Sequence, residues 1–327
     1  MNGKGTIDFF IEDLDKLTLS IKTLGYPCYG ESIMISLKDG EHELYNVITD
    51  CYEVRSNHNW TDFLSKDTRI NAFIWTHPDE DHSMGVATLM ETFDPECNAR
   101  IFIPASLTKE LLERNKKDAS IDTYLYLKKK YNVGKKYELW NEVSLTKYEA
   151  PRFLISIKIK ETSTNITLTF KIGFMAPIGA ISNRRIDIEN MSSGQMNDLS
   201  LFYVVQINST NYVFAGDLSK QMIQFIDEDY LSNCRFVKIP HHGSKDSIKL
   251  IDKIQPSHSL KLHSVTTTFK DSHPFDIVLD KYANKSDAVF STGRGKEPYG
   301  MVEINYNIKN INIFNIELKG NALQVRP

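Results

Sequence analysis

The apolar run NAFIW (71–75) gives way at Thr76 to HPDEDH, where two histidines and three carboxylates fall within six residues. No other stretch restricts the folding of this chain as much. Side chains this polar do not enter an apolar core without partners. The short apolar run before them reads as a buried strand. The stretch therefore sits where a strand leaves the core, on a loop whose side chains converge while its backbone stays anchored.

With 327 residues, 41% hydrophobic and 25% charged, the chain has the length of one large domain or two ordinary ones and a globular composition. Its net charge of −3 gives no global nucleic-acid footprint, although a local basic patch remains compatible with it. Cys28, Cys51, Cys97 and Cys234 are scattered and form no CxxC pair. That argues against a thiolate zinc site and a disulfide framework, and it fits a reducing cytosol. The start MNGKGTIDFFIEDL does not have the form of a signal peptide, and no apolar stretch reaches the roughly 18 residues of a membrane span. A soluble, cytoplasmic protein without a membrane partner is expected.

Strand patterns prevail along the chain. ESIMISL and YNVITDCYE read as consecutive strands joined by the turn residues of KDGEHE, the second ending near Asp50. SMGVATLMETF has helical spacing with Ser83 placed as its N-cap, and ARIFIPA reads as another strand. From residue 151 the strands RFLISIKIK, ITLTFKIGFMAP, LSLFYVVQIN and NYVFAGD follow, then a helix over 219–231 and the strand RFVKIPHHGS. SIKLIDKIQ reads as a helix, HSLKLHSV as a strand, PFDIVLDKYANK as a helix, and GMVEINYNIKNINIFNIEL as a strand pair. Two strand-rich halves with peripheral helices predict an α/β (α+β) chain in which sheet packs on sheet. Residues 107–147 read as helical, with ten Lys or Arg against six acids. They form either a solvated face or a basic rim for a polyanionic substrate.

Three clusters of ligand-type groups each follow a strand-like run: His77 to His82, Gly216-Asp217 after NYVFA, and His241-His242-Gly243-Ser244 after RFVKIP. Singly, each reads as an ordinary polar loop. Strands ending at one edge would bring all three together. Imidazole and carboxylate donors are the ligands of zinc and other divalent first-row ions, so together the clusters predict a metal centre.

In this order the motifs resemble those of the metallo-β-lactamase superfamily. THPDEDH is similar to its HxHxDH signature, with Asp79 in place of the second histidine, and GD at 216–217 is similar to its bridging aspartate. More narrowly, THPDEDH, NDLSL (197–201), AGDLS (215–219), IPHHGS (239–244) and SHP (272–274) resemble the succession in the hydrolase domain of the bacterial DNA-uptake protein ComEC and its free-standing relatives. Glu31 and Asp50 fall where those relatives carry aspartates, and the likeness spans residues 26 to 304.

The resemblance implies a four-layer αββα sandwich: one domain over 1–327, with 107–147 as a local elaboration and one or two divalent ions at a sheet edge. Carried over, His77 and Asp79 hold a first ion, Asp81 and His82 hold a second, and Asp217 bridges them. One of His241 and His242 completes the second position. Relatives place a further metal-binding histidine where this chain has Ala176, so the first ion is expected to be weakly held or absent. The oxygen-rich donors tilt the site toward manganese, iron or magnesium, while zinc remains a candidate through availability. Zinc and manganese lead.

An ion so held brings the pKa of its water to about 7. Asp81 is placed to orient that water and take its proton. His273 either binds phosphate or protonates the leaving oxygen, or is an ordinary loop histidine. Asn197 and Ser200 are expected to support the cleft. Ser244 either contacts a substrate oxygen or caps the next helix. Lys245 and GRGK (293–296) are weaker phosphate contacts, and His258 and His263 read as structural. The expected activity is metal-dependent hydrolysis of a phosphodiester in nucleic acid or a nucleotide. The alternatives are a small-molecule metallohydrolase acting on an ester, thioester or lactone, and a weakly active subunit gated by a protein partner or a second copy.

Overall fold

The structure, a computed structural model, describes residues 6–27, 29–53, 60–104, 107–131, 152–174, 188, 190–257, 259–310 and 312–327. Cys28, the 132–147 end of the basic segment, Ala176 and His258 lie outside the described residues.

Alternation sorts side chains between two cores. In β3 (Glu31–Asp39), Ile33, Ile35 and Leu37 enter one buried cluster and Met34 enters another. Among the described residues the smaller sheet has seven strands: β15 (Phe314–Gly320), β14 (Gly300–Asn307), β2 (Leu17–Gly25), β3, β4 (His42–Thr49), β5 (Ala72–Ile74) and β6 (Arg100–Phe102), in that order. The larger has nine: β1 (Ile7–Ile11), β7 (Arg152–Glu161), β8 (Thr167–Phe174), β9 (Tyr203–Ile207), β10 (Thr210–Phe214), β11 (Cys234–Lys238), β12 (His263–Thr266), β13 (Ala288–Ser291) and β16 (Leu323–Arg326). The first cluster joins Ile21, Ile33 and Val47 of the smaller sheet to Ile157, Phe170 and Val213 of the larger, so the main core lies between the sheets. The second packs Met34, Ile48 and Phe73 against Leu89, Met90, Leu111 and Leu127 of helices on the outer face of the smaller sheet. The chain is thus a mixed α/β protein with two large sheets.

The sheets do not correspond to two halves of the sequence. β1 leaves the N-terminal region to pair in parallel with β7, while β14 and β15 return from the C-terminal region to extend β2. Helix boundaries also move. Ser83 does not cap a helix over 83–93; it ends a short helix Glu80–Ser83, and the next, Val86–Phe93, begins after Gly85. Its hydroxyl is already committed, accepting from Trp75 Nε1 (3.1 Å) and donating to the Asp79 carbonyl (2.6 Å). The helix expected over 219–231 shrinks to Lys220–Ile223 plus a 3₁₀ turn Glu228–Leu231, with Asp227 capping that turn through its side chain.

Strand direction sets the site. β4 and β5 run parallel, as do β10, β11 and β12. The loops after these strands therefore emerge at carboxyl ends, where open sheets expose functional groups. One backbone bond stitches the two sheets together, Leu201 N–H to Thr76 O (2.8 Å), and another, His241 N–H to Gly216 O (3.1 Å), joins two loops of the larger sheet. Gly216 has φ +48, and a Cβ there would lie 3.0 Å from Thr76 Cβ, so glycine permits the close approach of its loop to that of Thr76. Among the described residues, no helix is long and apolar enough to cross a membrane.

Candidate metal centre

Asp50 organises the loop after β5. Held at φ 55, its carboxylate accepts from Thr76 N–H (2.7 Å) and Thr76 Oγ1 (2.5 Å), and lies 2.7 Å from His82 Nδ1. An ionised carboxylate only accepts, so His82 Nδ1 carries the proton. The Thr76 hydroxyl gives its proton to Asp50, and its free lone pair meets His77 Nδ1 at 3.2 Å. The same logic operates across the cleft. Thr267 Oγ1 donates to Glu31 Oε2 (2.6 Å) and so accepts from His242 Nδ1 (2.8 Å), while Lys238 Nζ holds the same Glu31 oxygen at 2.5 Å. In all three rings the network places the proton on Nδ1 and leaves an Nε2 lone pair facing inward.

Two of the three lone pairs find no hydrogen. Among the described residues, His77 Nε2, His82 Nε2 and Asp217 Oδ1 are buried without a hydrogen-bond partner. Asp217 lies between the two rings, its Oδ2 3.7 Å from His77 Nε2 and its Oδ1 3.7 Å from His82 Nε2. His242 Nε2 sits 3.0 Å from Asp81 Oδ2. Two acceptors that close repel unless a proton or a metal cation stands between them. Ligand atoms about 2.1 Å from a tetrahedral ion lie about 3.4 Å apart, which the observed separations bracket. The donor set is imidazole nitrogen and carboxylate oxygen, so the residues fit a divalent first-row ion.

Two groups of three have ligand atoms within 4.8 Å of one another and point inward: His77, His82 and Asp217; and Asp81, His82 and His242. A third, Glu31, Asp50 and His82, meets the same distance criterion. Its carboxylates are already taken by Lys238, Thr267 and Thr76, and it uses the protonated His82 Nδ1, so it orients ligands and does not hold an ion.

Charge points the same way. Burial opposes ionisation of Asp217, but the imidazoles of His241, His242, His77 and His82 hold its carboxyl far below the usual range. Burial likewise opposes ionisation of Asp81, and His82 and His242 keep it low. Burial alone would lower His82; Asp81, Asp50 and Asp217 outweigh it and raise its pKa well above the ordinary value. The pocket therefore favours positive charge at His82 Nε2, which a proton or a divalent cation supplies.

The other expected residues arrange themselves around this cluster. His242 is almost fully buried within it, whereas the partly exposed His241 approaches Asp217 only to 3.9 Å and stacks on His273 at 5.9 Å. Asp79 stands at the margin: Oδ2 is 3.7 Å from His77 Nε2, and Oδ1 accepts from Lys117 Nζ at 2.6 Å. Asn197 Nδ2 lies 3.4 Å from both His241 ring nitrogens. Among the described residues, the hydroxyls of Ser200 and Ser244 are buried without hydrogen-bond partners. Burial, and then the neighbouring His241 and His242, push His273 down to about 4, so its ring is neutral at pH 7. Lys245 lies over the Phe275 ring, and Arg294 is held by the carbonyls of Asp271 and His273. His263 is buried against the Tyr306 hydroxyl at 3.0 Å, a structural position.

Asp81, Asp217 and His242 of the cluster, with Asp79 and His241, line a cleft of about 710 Å³. Tyr29 and Phe269, stacked at 5.1 Å, line one part of it, and Lys116, Lys117 and Lys270 also line it. No family model matches the chain, and no curated protein matches it. Among solved structures it is similar to a "Putative metal-dependent hydrolase from Parabacteroides distasonis ATCC 8503", with a TM-score of 0.40 and 9% identity over 83% of this chain and 91% of that one. So loose a superposition leaves the chemistry to be read from this chain's own residues.

Three contributors, Thr76, Thr267 and Lys238, were not singled out from the sequence, and Lys117 was included only as part of the basic segment 107–147. Lys238 left a trace, a lysine interrupting the apolar strand RFVKIP just before the second histidine cluster. The others look like ordinary polar residues until the fold supplies their partners.

Proposed function

We propose that this protein is a metal-dependent phosphodiesterase or nuclease, a single metallo-β-lactamase-like domain of αββα layering acting on nucleic acid or a nucleotide in the cytoplasm. The observation that carries this reading is the convergence of the unpartnered, buried His82 Nε2 and Asp217 Oδ1 on the His242 Nε2–Asp81 Oδ2 contact at 3.0 Å. Asp81, His82, Asp217 and His242 would hold one ion; His77 and Asp79 border a second position. Manganese or zinc suits the mixed nitrogen and oxygen donors. When bound, such an ion acidifies its water and polarises a phosphoryl oxygen.

The chain's own residues supply the rest. The carboxylate of Asp81 orients the attacking water and accepts its proton. The lysines of the cleft oppose phosphate charge. The stacked Tyr29 and Phe269 offer a face for a nucleobase. His273, neutral and flanking His241, contacts the leaving side of the substrate.

Purified protein loaded with Mn²⁺ is expected to cleave bis-p-nitrophenyl phosphate and single-stranded DNA, and Asp81→Ala should lower the rate by roughly 10²–10⁴. A loaded protein that leaves both intact but opens a thioester or lactone would make it a small-molecule hydrolase.

A further inference from the structure

We propose that the ammonium of Lys117 takes the place of a second metal ion, neutralising Asp79 and binding a non-bridging phosphoryl oxygen of the substrate; this rests on the phosphodiesterase reading above. Lys117 Nζ donates to Asp79 Oδ1 at 2.6 Å, the closest partner of either group among the described residues. The pair is no loose surface contact, for the side chains are 28% and 20% exposed. Among the described residues, Asp79, like His241, is an expected ligand whose atoms enter none of the three-residue groups close enough to share an ion.

The lysine is held in place by its backbone. It precedes the helix Asp118–Lys130, and its own N–H bonds Leu112 O at 3.1 Å. That helix is tied to the histidine-bearing loop by hydrogen bonds that include Ser120 Oγ to Pro78 O (2.7 Å) and Thr123 Oγ1 to Ser83 O (2.9 Å). The basic segment thus delivers one fixed cation to the margin of the cluster, facing the same cleft as Lys116 and Lys270. A monovalent ammonium beside Asp79 repels a second divalent ion. An ammonium is a point charge with three donors, enough to keep Asp79 and still meet a phosphoryl oxygen.

Metal content and phosphate binding test this together. Wild-type protein saturated with Mn²⁺ and freed of excess is expected to hold one ion per chain by elemental analysis and to bind inorganic phosphate in calorimetry. Lys117→Met should keep that ion, with affinity within about threefold because Lys117 is no ligand, while phosphate affinity falls at least about tenfold. Lys117→Arg should restore most of it. Two ions per wild-type chain, or unchanged phosphate affinity in Lys117→Met, would overturn the proposal and leave the phosphodiesterase reading standing. Failure of metal-loaded wild type to bind phosphate would instead sink both.

Discussion

Asp50 reaches the proposed metal position only through other side chains, yet it fixes two rings at once, His82 directly and His77 by way of Thr76. Asp50→Asn puts an amide where those donors need a second acceptor. Metal affinity should fall by about 10–100-fold, as for other partners that orient ligands, and competition with a chelator would measure it. His82 predicts a pH dependence. Its folded pKa is raised above the ordinary value of about 6.5. Its proton therefore stabilises the chelated protein fully below about 6.5, and that contribution is lost as pH rises through the folded value. The melting temperature of chelated protein should fall as pH climbs from about 6.5, and saturating metal should remove that part of the fall because the cation takes the proton's place. A chelated melting temperature that rises across that window would contradict the charge balance assigned to His82.

At the scale of elements, the helix Asp118–Lys130 is a clamp on the histidine loop as well as the mount for Lys117. Ser120→Ala removes the hydrogen bond to Pro78 O and should cost about 1 kcal/mol in urea unfolding. It should also loosen the Lys117–Asp79 pair. Elements with long periodic patterns were legible in the sequence: ESIMISL, the strands after 151, and the helix within PFDIVLDKYANK. The short helix Glu80–Ser83 was not. Four residues show no period, and Ser83 looked like a cap because its true partners, Trp75 Nε1 and the Asp79 carbonyl, depend on the fold of the loop. The residues proposed to hold the ion were singled out for a related reason, since each cluster follows an apolar run. Thr267 and Lys238 were not, because their shared acceptor is Glu31, which lies more than two hundred residues away in sequence.

Across the whole molecule, Glu31 and Lys238 form a buried ion pair linking β3 of one sheet to β11 of the other. Lys238→Met strands a buried carboxylate and should cost about 3–5 kcal/mol; adding Glu31→Leu should recover much of that stability while leaving His242 without its Thr267 acceptor chain. Comparing metal affinity and unfolding free energy in the single and double variants would separate the structural role of the pair from its orienting role. The exchange of β1, β14 and β15 between sequence halves could not be read from the chain, since local pattern says which face of a strand is buried but not which sheet edge it joins. The most direct test of the account is anomalous diffraction at the zinc edge from crystals grown with zinc. The account predicts a peak about 2.0–2.2 Å from the Nε2 atoms of His82 and His242, with Asp81 and Asp217 oxygens completing the sphere. A cleft with these side chains in place and no peak among them would contradict it.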